Sequence, residues 1–591
     1  MSKKMLRRLR TFLLLCASLL VILSTRLVQL QLWQHDYYYA RAETNKIRVL
    51  NQVAPRGEIL DRKGKVLATN RPGYTVSILD LDRKEAANVI KEMAKLLDME
   101  EEEIYALIKE QRYRQYIPVR LKTDVDEKVI AEYYERKTEL PGVIIEVQHL
   151  RHYPEGNLAA HVLGRTGAIT AAQLAKWAEQ GYTYGMGDIV GREGGIEEVW
   201  EPYLRGTDGQ IRVEVDNLTQ VRKVNARVDP IPGNNVYLTL DARLQRELEN
   251  AMRNTMEKLN KEDPKKGLRG AAVALDPFSG AILAMVSLPD YDLNTFQYVE
   301  LQKAPNQPLL NRVIAGRYPV GSTYKVLTTV AALEEGVLTP TRKLNSPSRL
   351  HVAGNLWKAN YALASHGYID VVTALKVSSN TFFYQVGTLL GPDKLEKWGR
   401  NFGMGSVTGL QDIRGEVTGS VSTKRRPGEV MDAAIGQGHA ITPLQLAQLL
   451  AMIVNGGTQY RPYLVDRVVD PEGEILYQAR PKVLNRLELS EVSLETVKKG
   501  MEAGSSAGGT SGRFRNFPYP VRIPGKTGTA QDPPREDHSL FISYAPGDDP
   551  EIVLAVIIEN SGIGGAGAIP VAWDFYLSYF APRFEETKNE Q

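Results

Sequence analysis

The sequence of 591 residues holds one cysteine, Cys16, so no intrachain disulfide and no cysteine-based zinc site is possible. Histidine is scarce at eight residues, and none falls into an H-E-x-x-H or similar spacing, so neither metal nor cofactor is expected. A dominant charge is missing too: Lys+Arg 73 against Asp+Glu 70 leaves +3, which argues against a nucleic-acid-binding face and for no nucleic-acid partner. There is no internal repeat or low-complexity block. Hydrophobic residues at 43% and charged residues at 24% exclude a disordered chain. The length exceeds what one core serves, so about two to four domains are expected.

Long apolar runs are also rare, and the one that stands out lies at the front. Residues 1–10 carry Lys3, Lys4, Arg7, Arg8 and Arg10 without an acid, and residues 11–25 (TFLLLCASLLVILST) are uncharged. That uncharged core spans only roughly 22 Å as a helix, short of a ~30 Å hydrocarbon layer. Snorkelling by Arg10 and Arg26, with Trp33 at the far interface, covers the difference. A cleaved secretory signal lacks its small-x-small site, because Arg26, Leu27 and Gln29 stand there. A lipoprotein signal fails on Leu15 before Cys16. The expectation is an uncleaved single-pass anchor in the cell membrane, N-terminus cytoplasmic and the rest extracytoplasmic.

The chain then divides into residues 1–10 as a cytoplasmic tail, 11–33 as the transmembrane helix, 34–240 as an extended α/β domain, 241–585 as a second domain, and 586–591 as a polar tail. Residues 84–97 read as a helix, 74–79 and 142–147 as strands, and the Pro230–Gly233 turn precedes a strand at 235–240. Two apolar runs, 270–275 and 281–287, joined by Asp-Pro-Phe-Ser-Gly, form a hairpin. A mostly helical middle, 318–457, is followed by strands at 522–526, 540–544 and 552–558 and a helix at 571–580. Strands from both ends of the domain predict one antiparallel sheet covered by helices, an α+β fold.

Three nucleotide- or hydrolase-like motifs fail on context. Residues 562–567 match G-x-G-x-x-G but lack a second βα unit and its acid, leaving a strand–helix turn. Residues 504–508 match G-x-S-x-G, yet a helical stretch leads in and more glycines lead out, which reads as a flexible surface loop. Gly525-Lys526-Thr527 has Pro520 where a P-loop needs glycine. A different set survives because three short motifs occur once each and in order: Ser322-Thr323-Tyr324-Lys325 opening a helix, Ser378-Ser379-Asn380, and Lys526-Thr527-Gly528-Thr529 at a strand end.

The chemistry fits the spacing. Serine three residues before lysine at a helix start puts both on one face, with Ser322 at the partially positive N-terminus. Serine needs a base to become nucleophilic, and with no histidine motif nearby neutral Lys325 is the candidate, its pKa lowered by burial and a second cation such as Lys526. Gly528 is expected to leave room for a substrate backbone pairing with the strand.

This triplet resembles the active site of penicillin-binding proteins and serine β-lactamases. The segment from Ala54 to Arg62 (APRGEILDR), residues 191–197 (GREGGIE), Tyr203-Leu204-Arg205-Gly206 and residues 236–241 (VYLTLD) resemble the pedestal, or dimerisation domain, of class B penicillin-binding proteins. Residues 276–287, 435–438 (IGQG) and 442–445 fit the transpeptidase domain of the same family. Residues 36–48 and 71–74, with the long connection from Ser378 to Lys526, are similar to the elongation-type group, penicillin-binding protein 2. The resemblance implies a serine-type peptidoglycan D,D-transpeptidase acting in elongation and cell shape. In it Ser322 is acylated, Lys325 is its base, Ser378 relays a proton, Asn380 holds the donor amide, and Lys526, Thr527 and Thr529 hold the carboxylate edge. The N–H groups of Ser322 and Thr529 form the oxyanion hole. It also implies covalent reaction with β-lactams, peptidoglycan stem peptides as substrates and a SEDS-family (RodA-like) glycosyltransferase as partner. A β-lactam-acylated sensor or scaffold, or a D,D-carboxypeptidase, remains the alternative.

Overall fold

The structure, a computed structural model, describes residues 3–38, 47–78, 83–111, 118–185, 187–215, 221–266, 268–295 and 297–589. Helix α1 (Lys3–Val28) runs on through a π-helical turn, Gln29–Trp33. None of its residues is buried, so its Leu, Ile and Phe side chains are exposed among the described residues, and it is long and apolar enough to cross a membrane. It begins at Lys3, so the helix extends beyond the expected 11–33 by incorporating the basic residues.

The pedestal is strung on one long strand, Val66–Ile78, paired antiparallel with Val143–His152 from Thr69↔His152 to Ile78↔Val143 and with Val119–Thr123. The helix Arg83–Leu97 turns Val89, Ile90, Met93 and Leu97 onto this sheet, the 3.6-residue stripe its sequence announces. At the other end the same sheet crosses into the second half of the chain. Ile59–Leu60 pairs parallel with Asn235–Leu238, which pairs with Val465–Val469 and through it with Ile475–Gln478. Arg56 and Arg151 meet the fully buried carboxylates of Glu197 and Glu201 there, Arg56 at 2.8 and 2.9 Å and Arg151 at 2.5 Å.

The second domain is built on a five-stranded antiparallel sheet: β1 (Gly270–Leu275), β2 (Ile282–Leu288), β3 (Gly525–Ala530), β4 (His538–Ala545) and β5 (Ile552–Ile558), in the order β2-β1-β5-β4-β3. Strands β1, β2 and β5 are buried throughout, which is why they read as unbroken apolar runs. Helix α2 (Ala242–Glu262), capped by the Asp241 carboxylate, covers one face together with the C-terminal helix Ala568–Asn589. The other face is covered by α3 (Lys325–Glu334), α4 (Asn380–Leu390), α5 (Pro427–Ala434) and α6 (Pro443–Val454). All residues of α6 are buried.

Three expectations are corrected. The middle region is not simply helical: Leu344–Ser346 pairs with Gly367–Ile369, and Arg349–Ala353 with Leu356–Ala359. Strand β3 begins at Gly525, not at 522, because Pro524 has no N–H to give a ladder; Lys526 to Thr529 therefore lie inside the strand and not at its end. Residues 504–512 are tied down: Ser505 and Ser511 are buried with their hydroxyls 3.1 Å apart, and the N–H of Thr510 donates to the Lys376 carbonyl.

Candidate active site

Ser322 sits on a 3-10 turn, Gly321–Tyr324, that feeds α3, and strand β3 lies directly against that turn. Two glycines permit this approach. Gly321 has φ +49°, and a Cβ there would fall 2.1 Å from the Thr529 carbonyl oxygen. A Cβ on Gly528 would meet Thr323 Cγ2 at 2.8 Å and the Val320 carbonyl at 2.9 Å. Gly528 thus makes room for the protein's own Ser322 turn, not for a substrate backbone. This corrects the sequence reading, which located the missing side chain correctly and its neighbour wrongly.

The opposite wall comes from the turn between Val371–Lys376 and α4. Ser378 adopts φ +55°, a left-handed conformation that costs a non-glycine residue roughly 1 kcal/mol or more. Ser379 then caps α4, its Oγ accepting from the Phe382 N–H at 3.2 Å. Between these walls Lys325 Nζ donates to the Ser378 carbonyl at 2.8 Å, to Asn380 Oδ1 at 2.7 Å and to Ser378 Oγ at 3.3 Å. Lys526 Nζ reaches the same Oγ from β3 at 2.9 Å and its neighbour's carbonyl, Thr527 O, at 2.9 Å. Two lysines therefore converge on one hydroxyl, and no carboxylate pairs with either among the described residues. Burial, and then the charge of Lys526, hold the Lys325 ammonium well below the usual lysine range; burial brings Lys526 to about 7. No described residue hydrogen-bonds the Ser322 hydroxyl, and that side chain opens into a cleft of about 710 Å³.

The structure brings Ser322, Lys325, Ser378, Asn380, Lys526, Thr527 and Thr529 to this one cleft, with Gly528 behind it. It also adds residues the sequence did not single out. Asn360 is buried and braces the Ser378 turn: its Oδ1 accepts from the Thr381 N–H at 2.9 Å, and its Nδ2 donates to Thr381 Oγ1 at 2.8 Å and Ser346 Oγ at 3.2 Å. The Gly564 N–H donates to Thr529 Oγ1 at 2.7 Å, so the 562–567 turn is part of the cleft wall. Thr510, Gln437, Asp432 and Tyr361 also line the cleft. In the sequence the glycine clusters at 504–512 and 562–567 marked the places of Thr510 and Gly564, and the IGQG stretch at 435–438 that of Gln437.

A serine turn wedged under the edge strand of an antiparallel sheet, facing buried lysines that pair with no carboxylate among the described residues, is the arrangement of an acyl-serine transferase. Comparison with known proteins narrows the class. Residues 270–575 match the penicillin binding protein transpeptidase domain and residues 51–238 the penicillin-binding protein dimerisation domain. The peptidoglycan D,D-transpeptidase MrdA of Acinetobacter baumannii is 31% identical, over 93% of this chain and 84% of the relative. A solved structure described as the structural coordination of polymerization and crosslinking by a peptidoglycan synthase complex superposes with a TM-score of 0.70. It is 30% identical and covers 97% of this chain and 98% of that one. The complex of penicillin-binding protein 2 with MreC from Helicobacter pylori shares the fold at a TM-score of 0.74, with 24% identity over 91% of this chain and 99% of that one. The chain belongs to the penicillin-binding protein transpeptidase family, in its elongation-type group.

Proposed function

We propose that this chain cross-links peptidoglycan through an acyl-enzyme on Ser322. It is a D,D-transpeptidase of the elongation type. The observation that carries the residue assignment is the buried Lys325, three residues after Ser322, held by Ser378 and Asn380 and pushed towards its neutral form. Neutral Lys325 takes the Ser322 proton as Oγ bonds to the penultimate D-Ala carbonyl carbon of a stem peptide. The Ser322 and Thr529 N–H groups stabilise the oxyanion; losing one such donor typically costs about 3–4 kcal/mol of barrier. Ser378, between Lys325 and Lys526, hands a proton to the nitrogen of the departing D-Ala. Asn380 orients the donor amide, and Lys526, Thr527 and Thr529 hold its carboxylate. A stem-peptide amine then bonds to the acyl carbon, and the bond to Ser322 Oγ breaks.

Intact mass after incubation with benzylpenicillin tests this. Wild type should gain one covalent adduct that Ser322→Ala lacks; an adduct retained in the variant would place the nucleophile elsewhere. The anchor reading joins this one: with Lys3, Lys4, Arg7, Arg8 and Arg10 cytoplasmic, α1 would hold the active site outside and meet a SEDS-family (RodA-like) glycosyltransferase within the bilayer. Replacing α1 with an unrelated span should reduce copurification with that polymerase, and undiminished recovery would refute the contact.

A further inference from the structure

A transpeptidase must seat two substrates, and the lining of this cleft divides by element into two arms that meet at Ser322. One arm is β3 with the 562–567 turn: Thr527, Thr529, Gln531 and Gly564, beside the Lys526 cation. Its hydroxyls, strand backbone and buried cation suit a peptide ending in a carboxylate, the donor. The other arm is helical. Tyr384 of α4, Asp432 of α5 and Gln437 line it, with Tyr361 at its lip, two-thirds exposed.

Asp432 is placed by the same packing that sets the nucleophile. Its carbonyl accepts from the Gln437 N–H, and one turn further on Gly436 packs on Gly321, whose N–H donates to the Gly436 carbonyl at 3.3 Å. Its Oδ1 accepts from Lys358 Nζ at 2.6 Å, and the Lys358 ammonium lies 5.6 Å over the Tyr384 ring. No described residue donates to Oδ2, and the side chain stays 37% exposed. Asp537, which precedes β4 beside the 562–567 turn, also lines the cleft; on the helical arm the carboxylate is Asp432, and no described residue donates to its Oδ2.

We infer that Asp432 is the residue that selects the acceptor: its Oδ2 gathers a primary ammonium on the incoming stem peptide and aims it at the acyl carbon on Ser322. The inference rests on the acyl-enzyme reading above. For reaction, the ammonium loses one proton to solvent, its nitrogen bonds to the acyl carbon, the bond to Ser322 Oγ breaks, and a second amine proton goes to that oxygen. Asp432 acts on where the amine sits and not on the donor half-reaction. Lys358 competes for the carboxylate and sets how strongly it attracts.

The test uses the full-length chain in detergent with a D-alanyl thioester donor mimic and the tripeptide L-Ala-γ-D-Glu-L-Lys as amine acceptor. Aminolysis is read against hydrolysis as the tripeptide concentration rises. In Asp432→Asn the half-saturating acceptor concentration should rise about tenfold with the maximal rate little changed, as expected for one partly exposed charge contact. Asp432→Glu should recover most of it, and Lys358→Met should shift it below wild type. Benzylpenicillin adduct formation on each variant reports folding and the donor half-reaction separately. Normal adducts with unshifted acceptor saturation would overturn the assignment, as would wild type that acylates but shows no saturable aminolysis. Failure of wild type to acylate at all would refute the acyl-enzyme reading and this inference with it.

Discussion

Lys325 is buried, has no carboxylate partner among the described residues and lies beside a second lysine, which is a poor site for a cation and a good one for a base. Its folded pKa lies well below the free value, so the neutral fraction, and with it the acylation rate, should rise with pH through that lowered value. Lys526→Met removes the like charge and lets Lys325 hold its proton to higher pH. The acid limb of the benzylpenicillin acylation profile should therefore move to higher pH in that variant, while Lys325→Ala should cost at least ~100-fold in rate at every pH. An acid limb that stays in place would mean the two lysines are not coupled. At this scale the sequence was informative. Ser322, Lys325, Ser378 and Lys526 occur in motifs that the sequence grouped and that the fold brings to one cleft. Asn360 was hidden because it acts through Thr381 and Ser346, a tertiary arrangement with no periodic trace.

The elements explain what the motifs leave out. Strand β3 and the Ser322 turn must touch backbone to backbone, and Gly528 permits it. Gly528→Ala should force the strand off the turn, costing about 1–3 kcal/mol of stability and lowering acylation. Adding Thr323→Ser removes the nearer obstructing methyl and keeps the hydroxyl bonded to the Val320 carbonyl, so the double variant should regain part of the loss. Stopped-flow acylation of the three proteins decides it; no recovery would mean that the Val320 carbonyl alone sets the fit. Asn360→Ala takes the acceptor from the buried Thr381 N–H, so about 1–3 kcal/mol and a slower acylation are expected, seen in thermal unfolding and adduct formation together. The sequence revealed the main sheet, since β1, β2 and β5 are apolar runs bounded by turn residues. It concealed the two small hairpins at 344–369, whose strands are short and half exposed. A glycine in a strand announces a close approach but not which face is approached, and so Gly528 was read towards the substrate.

Across the whole molecule the pedestal and the catalytic domain share a sheet and a core, because Val465–Val469 joins Asn235–Leu238 and one cluster of buried residues runs from Ile59 to Ile557. Glu249 of α2 stands at this joint, its Oε1 accepting from the Ala159 N–H at 2.9 Å and from Gln245 Nε2 at 2.9 Å. Burial raises its pKa from 4.5 to about 7. A carboxyl raised on folding supports the fold fully below its unfolded pKa and loses that support as pH climbs through the folded value. Glu249→Gln keeps the acceptor oxygen without the charge. Below about pH 4 the two proteins should unfold alike, whereas at pH 8 the variant should be more stable by up to about 3 kcal/mol and unfold at a higher temperature. Equal transitions at pH 8 would show that Arg253, 3.7 Å away, already neutralises the charge.

The joining of distant segments also sets a timetable. Strand β1 pairs with β5 across the whole span from Gly270 to Ile558, and Lys526 closes on Ser378 from 148 positions away. As ribosomes deliver residues from the front, the Ser322 turn and its helix emerge long before the strand that completes them. Until then β1 and β2 stand as a hairpin with a bare apolar edge. A nascent chain therefore carries Ser322 on an unfinished cleft, and the chemistry proposed for it would begin only once nearly the last strand has arrived.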